Sequence, residues 1–207
     1  MPDLRHEHEF WDAGLRWVAG LDEAGRGPWA GPVTAAAVVL PAGDQCLRSL
    51  AGVDDSKRLT PRRREELLPA IQDTALAWGV GAADAGEIDR LGIVPATRLA
   101  MERALAALGL APQALLIDAL RLPGVAIPQL AIIHGDSLSL SIAAASVLAK
   151  VTRDRLMVAM DEQYPGYGFA RHKGYGTRAH AESLALLGVC PLHRRSFAPV
   201  ARRLTSP

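Results

Sequence analysis

The sequence predicts a mixed α/β fold: one five-stranded sheet flanked by helices, followed by a C-terminal extension. Three observations lead there. Five short apolar runs, at residues 17–21, 33–40, 75–82, 115–118 and 130–134, have the length and the flanking breakers of strands. Helical patterns open at Thr60-Pro61 and cover roughly residues 95–108, 141–163 and 177–187. The strands come first in succession and then alternate with helices, the order of a mixed sheet with helical layers. Glycines and prolines are scattered as punctuation and no repeat is present, so two separable domains are not expected. Residues 1–164 are read as the main domain and 165–207 as a basic extension packed on it.

Composition narrows the function. The chain has 207 residues, 49% of them hydrophobic, enough for one substantial core. No apolar run reaches the roughly 20 residues of a membrane span, and the N-terminus is too polar for a signal peptide, so a soluble, cytoplasmic protein is expected; a monomer is the working expectation, though the sequence does not fix the oligomeric state. Cys46 and Cys190 are far apart and have no C-x-x-C spacing, which predicts reduced structural thiols. The net charge of +1 conceals an asymmetry: residues 165–207 carry 7 basic groups and 1 acidic one. Such a tail invites a polyanionic partner.

Each element then takes its place. The first strand runs into "GLDEAGRGP", where Asp22 and Glu23 stand side by side before a glycine-rich turn. Neighbouring strand residues point to opposite faces, so the strand is expected to distort near Glu23 if both carboxylates serve one site. Thr60 caps the first long helix and Pro61 fills its first position; Pro69, eight residues on, predicts a kink or split. The fourth strand ends on Asp118, and Asp136 follows the fifth. Singly, each of these aspartates also suits a turn or a cap. Together, carboxylates at three strand ends suit hard cations such as magnesium or manganese, and two such ions suit phosphodiester hydrolysis. The long third helix stops at "YPGYG", before a loop rich in Gly, His, Arg and Tyr.

Five motifs, in order, match one family: "GLDEAGRGPWAGPVTAAAV", "DDSKRLT", "LLID", "HGDSLSLSIAAASVLAKVTRD" and "YGFARHKGYGTRAH" with "HRRSF". The chain resembles ribonuclease HII, the type 2 ribonuclease H family, from about residue 17 to about residue 200. The resemblance implies a ribonuclease H-like three-layer fold with a helical C-terminal extension that helps hold substrate. It implies cleavage of RNA in RNA–DNA hybrids and incision 5′ to ribonucleotides embedded in duplex DNA, leaving 3′-hydroxyl and 5′-phosphate ends. By motif, Asp22, Glu23, Asp118 and Asp136 correspond to four catalytic, metal-binding carboxylates for Mn2+ or Mg2+, with Asp22 shared between two ions. Gly25, Arg26 and Gly27 correspond to the turn that reads the ribose 2′-OH through its backbone, and Tyr175 to a tyrosine that packs on the adjoining deoxyribose. Lys57, Lys173 and Arg195 are the foremost phosphate contacts, with Lys150, Arg153, Arg171 and Arg194 behind them. His172, His180 and His193 are read as phosphate-facing or structural. Ala119 stands where the family commonly has glycine. The competing readings are a non-catalytic hybrid-binding module and another ribonuclease H-like nuclease; "GRG" together with "KGYG" disfavours the latter.

Overall fold

The computed structural model describes residues 1–205, so Ser206 and Pro207 at the end of the predicted extension lie outside the described residues. The elements run α1 (Arg5–Asp12), β1 (Val18–Ala24), β2 (Val33–Val39), α2 (Gln45–Ser49), α3 (Pro61–Thr74), β3 (Ala77–Ala83), α4 (Ala85–Leu91), α5 (Ile93–Ala106), β4 (Ala114–Asp118), β5 (Gln129–Ile132), α6 (Gly135–Leu138), α7 (Leu140–Gln163), α8 (Phe169–His172), α9 (Arg178–Leu187) and α10 (Ala198–Thr205). All five predicted strands are present, within a few residues of their expected bounds.

The sheet order is β3-β2-β1-β4-β5. β1 pairs antiparallel with β2 and β2 with β3, whereas β1, β4 and β5 run parallel to one another. Alternation along the central strands then builds two cores. Ala36 and Val38 of β2 face α7 and α3 in one, with Leu67, Ile71 and Val147; Leu21, Ala35, Ala37 and Ile117 face α5 in the other, with Ala100, Met101 and Ala104. Every residue of β2 is buried, as expected of a strand covered on both faces. No helix among the described residues is long and apolar enough to cross a membrane. Cys46 and Cys190 are both buried free thiols, as the sequence predicted.

Helix α3 corrects the expectation of a split at Pro69. Thr60 caps it, accepting from Arg63 N at 3.2 Å, and Pro61 occupies the first turn. Pro69 lies inside the helix without splitting it. The lost backbone bond is offset by burial of Leu67, Leu68 and Ile71 on the core side, while Pro69 itself faces solvent. Beyond α7 the chain folds back on it, and Tyr167, Phe169 and Cys190 bury a smaller cluster with Ala30 and Met157.

Candidate active site

Because β1, β4 and β5 are parallel, their C-terminal ends share one edge of the sheet. Asp22 lies one step past the Leu21–Ile117 pair, beside Asp118 at the end of β4. Asp136 is in the short turn α6 that follows β5. Asp22, Glu23 and Asp118 line one cavity of about 400 Å3 together with Gly25, Arg26 and Tyr175. Lys57 also lines it and donates from Nζ to Asp136 Oδ2 at 3.1 Å. Asp136 therefore faces an ammonium, and no three His, Cys, Asp or Glu side chains among the described residues are already gathered around one point.

The local backbone explains this placement. β1 keeps regular register with β2 through Asp22–Ala36, Glu23–Ala35 and Ala24–Thr34, so the expected distortion at Glu23 is absent. The break comes after the strand, at Gly25, with φ +96°. Across that turn Arg26 Nη1 donates to Glu23 Oε1 at 3.2 Å and draws the longer side chain to the cavity. Asp118 Oδ1 accepts from Gly135 N at 2.8 Å, which ties the end of β4 to the Asp136 turn. Three non-glycine residues with left-handed backbone adjoin site residues: Ala119 (φ 50°) after Asp118, His134 (φ 58°) before the Asp136 turn, and Lys173 (φ 52°) before Gly174-Tyr175. A glycine at 119 would lose that strain and gain chain entropy only in the unfolded state. Ala119→Gly is accordingly expected to raise stability by about 0.5–1 kcal/mol, read as a shift of the urea midpoint.

The electrostatics are those of crowded buried acids. Burial raises the Asp22 pKa well above the usual carboxylate range, and the charges of Glu23, Asp118 and Asp136 raise it further. Burial also raises Glu23, against the pull of Arg26. Glu23 Oε2 is buried and has no hydrogen-bond partner among the described residues. Burial presses the Lys57 ammonium down, but its bond to Asp136 outweighs that and holds it above its ordinary value. An all-oxygen donor set with mutual repulsion and an orphaned carboxylate oxygen fits a hard divalent cation.

The basic residues divide. Arg153 and Arg194 are fully buried and, among the described residues, donate only to backbone carbonyls, which corrects their reading as phosphate contacts. Lys150 is bonded to Asp154 at 2.7 Å and lies 5.6 Å from the ring centroid of Tyr175. Lys173 bonds the carbonyl of Ala170, and Arg195 is exposed, its backbone N–H bound to Asp89. Tyr175 is 42% exposed on the cavity wall.

The histidines are structural. His172 takes Gly174 N–H on Nδ1 and gives Nε2–H to Tyr167 O; His180 gives Nδ1–H to Tyr175 O. The remaining His180 Nε2 then accepts from His193 Nε2–H at 3.1 Å, and His193 Nδ1 accepts from Cys190 N–H. The hydrogen bonds thus assign all three rings as neutral. Burial lowers His180, and lowers His193 to about 4. The unfolded chain binds these protons near pH 6.5, so folding stability is full above that pH and falls between 6.5 and 4, by about 2–3 kcal/mol for His193. His193→Gln is expected to flatten that part of the profile in unfolding measurements across pH 4–7.

One supporting residue was missed in the sequence. Glu7 is fully buried, and its Oε1 accepts from Ser139 Oγ, Ser141 N and Ser141 Oγ, pinning α1 to the start of α7 just beyond Asp136. The i, i+3, i+7 spacing of Leu4, Glu7 and Trp11 was the available signal.

A family model described as Ribonuclease HII matches residues 19–200. A protein named ribonuclease HII from Chloroflexus aurantiacus is 57% identical over 207 residues, covering 100% of this chain and 98% of its own length. Another, from Desulfitobacterium hafniense, is 55% identical over 201 residues, covering 97% and 76%. The crystal structure of ribonuclease H2 from Pyrococcus horikoshii matches with a TM-score of 0.75 at 29% identity, over 89% of this chain and 95% of that one. The RNase HII of Archaeoglobus fulgidus, solved in complex with PCNA, gives 0.71 at 25% identity, over 92% and 98%.

Proposed function

Since the chain belongs to the ribonuclease HII family, metal-dependent endoribonucleases of RNA–DNA hybrids with a ribonuclease H-like fold, we propose that its cavity reads an RNA-to-DNA junction and incises 5′ to it. The observation that carries this is one cavity lined at once by Asp22, Glu23 and Asp118, by the Gly25-Arg26-Gly27 turn and by Tyr175. Asp22, Glu23, Asp118 and Asp136 would hold Mg2+ or Mn2+. The ions would lower the pKa of the attacking water and offset charge on the leaving 3′ oxygen.

The chain's own residues supply position and selection. Asp22 is the most enclosed of the four carboxylates, at the centre of their mutual repulsion. Glu23 is steadied by Arg26 and keeps one oxygen unpartnered. Asp118 is held by the Gly135 amide. The Gly25–Gly27 backbone would meet the ribose 2′-OH, and the Tyr175 ring would lie on the next sugar, where a second 2′-OH would crowd it. Lys57, Lys173 and Arg195 would contact phosphates, Lys57 by exchanging Asp136 for one.

A labelled DNA duplex with one ribonucleotide, incubated with the protein and Mg2+ or Mn2+, is expected to be cut 5′ to the ribonucleotide, leaving a 3′-hydroxyl and a 5′-phosphate. An intact duplex beside a cut all-RNA hybrid would remove the junction reading. Tight binding with neither substrate cut would favour a non-catalytic module.

A further inference from the structure

The two buried arginines form a linked pair around the turn. Arg194 donates from Nε to Gly31 O at 2.9 Å, from Nη1 to Arg26 O at 2.8 Å and from Nη2 to Gly25 O at 2.5 Å. Arg153 donates from Nε to Pro32 O at 2.9 Å, from Nη2 to Ala30 O at 3.1 Å and from Nη1 to Lys173 O at 3.0 Å. Among the described residues neither forms an ion pair with a carboxylate. Burying two like charges near each other is costly, and the six carbonyls they satisfy hold both guanidiniums in place. Burial, and for Arg194 the charge of Arg153, presses both guanidiniums below their ordinary range. What the pair provides is geometry.

That geometry acts on the turn's amides. In a trans peptide the C=O and the following N–H point in opposite directions, and every peptide here is trans. Arg194 draws the carbonyls of Gly25 and Arg26 inward, so the N–H groups of Arg26 and Gly27 turn the other way. Neither of those N–H groups meets an acceptor among the described residues, and their residues line the cavity. Arg153 then fixes this loop to the other side of the site, because its fork holds Ala30 O and Lys173 O together, two residues before Tyr175. The contact admits no slack: a Cβ on Gly25 would stand 2.0 Å from Arg153 Nε, and one on Gly174 2.3 Å from Ala30 O.

We infer that Arg194 and Arg153 are positioning residues for junction recognition: Arg194 aims the Arg26 and Gly27 amides at the 2′ oxygen, and Arg153 sets their distance from Tyr175. The inference rests on the junction-reading function proposed above. A folding role alone would leave sugar discrimination unchanged in any variant that still folds.

The test measures, in EDTA to prevent cleavage, the affinity ratio between a duplex with one ribonucleotide and the same duplex in all-DNA form. Arg194→Met and Arg194→Lys each leave buried carbonyls without a donor and are expected to melt lower than wild type, by roughly 10 °C; measured well below their midpoints, the folded variants are expected to lose at least fivefold of that ratio. The lysine keeps the charge but not the fork, so it does not rescue. A folded variant with the wild-type ratio would overturn the inference while leaving the nuclease function intact. Wild-type protein that fails to cut 5′ to the ribonucleotide when metal is supplied would overturn the function and this inference with it. Independently of any variant, the amide resonances of Arg26 and Gly27 in wild-type protein should shift with the ribonucleotide duplex and not with its all-DNA counterpart; equal shifts with both would also sink the idea.

Discussion

Asp22→Asn is expected to lower cleavage by at least about 10^3-fold, roughly 4 kcal/mol of transition-state stabilisation, while raising the melting temperature of the metal-free protein. The two effects have one cause. Asp22 is only 2% exposed, and burial together with Glu23, Asp118 and Asp136 raises its pKa well above the usual range. A carboxylate whose folded pKa lies above its unfolded value destabilises the fold once pH exceeds the unfolded value, and asparagine of nearly equal size removes that charge. The same change leaves the cavity one acid short for a divalent cation. Melting with and without Mn2+ separates the contributions. The wild-type midpoint should rise with added metal, by an amount equivalent to about 2.7 kcal/mol at a hundredfold excess over Kd, and the variant's should rise much less. A variant that melts lower than wild type in EDTA would show that the buried charge is compensated in a way the cavity does not reveal.

How far the sequence disclosed this site depended on how local each cause is. The carboxylates were legible because strand ends are marked by nearby breakers: Gly25 follows Glu23, and Gly135 precedes Asp136. Helix α4 was legible in principle and overlooked, since Asp84 and Glu87 form a capping box around its first turn. Arg153 and Arg194 were misread because nothing local distinguishes an arginine that will be buried among carbonyls mostly distant in the chain from one on a solvated basic face. Glu7 was hidden for a related reason: a polar N-terminal segment looks solvated until its two partners, Ser139 and Ser141, are brought to it by the fold. Pro69 misled in the other direction as to a split, because local backbone chemistry allows a break that tertiary burial of its neighbours overrides. The regular course of β1 past Glu23 is likewise a tertiary outcome, imposed by continuous pairing with β2.

The strongest coupling between fold and site is expected at Gly20. It lies on the same face of β1 as Asp22, and the first turn of α7 rests directly on it: a Cβ there would stand 2.3 Å from Ser141 C and 2.5 Å from Ile142 N. These are backbone atoms of a helix whose start is already bonded to Glu7, so no side chain can rotate away to make room. Gly20→Ala must therefore lift the start of α7 or bend β1, at a cost of about 3 kcal/mol or more, a drop of about 6–12 °C in melting temperature for a chain of this size. Either movement also displaces the Asp136 turn, which leads into α7 through Ser139. Activity measured well below the variant's melting temperature should fall by tenfold or more, which a pure loss of stability would not produce. Gly27 is the contrast within the same motif: a Cβ there meets nothing within 4 Å and its φ lies outside the left-handed range, so Gly27→Ala is expected to leave stability within about 0.5 kcal/mol. If Gly20→Ala melts like wild type, α7 is not seated on β1 as described, and the placement of Asp136 beside Asp22 loses its mechanical basis.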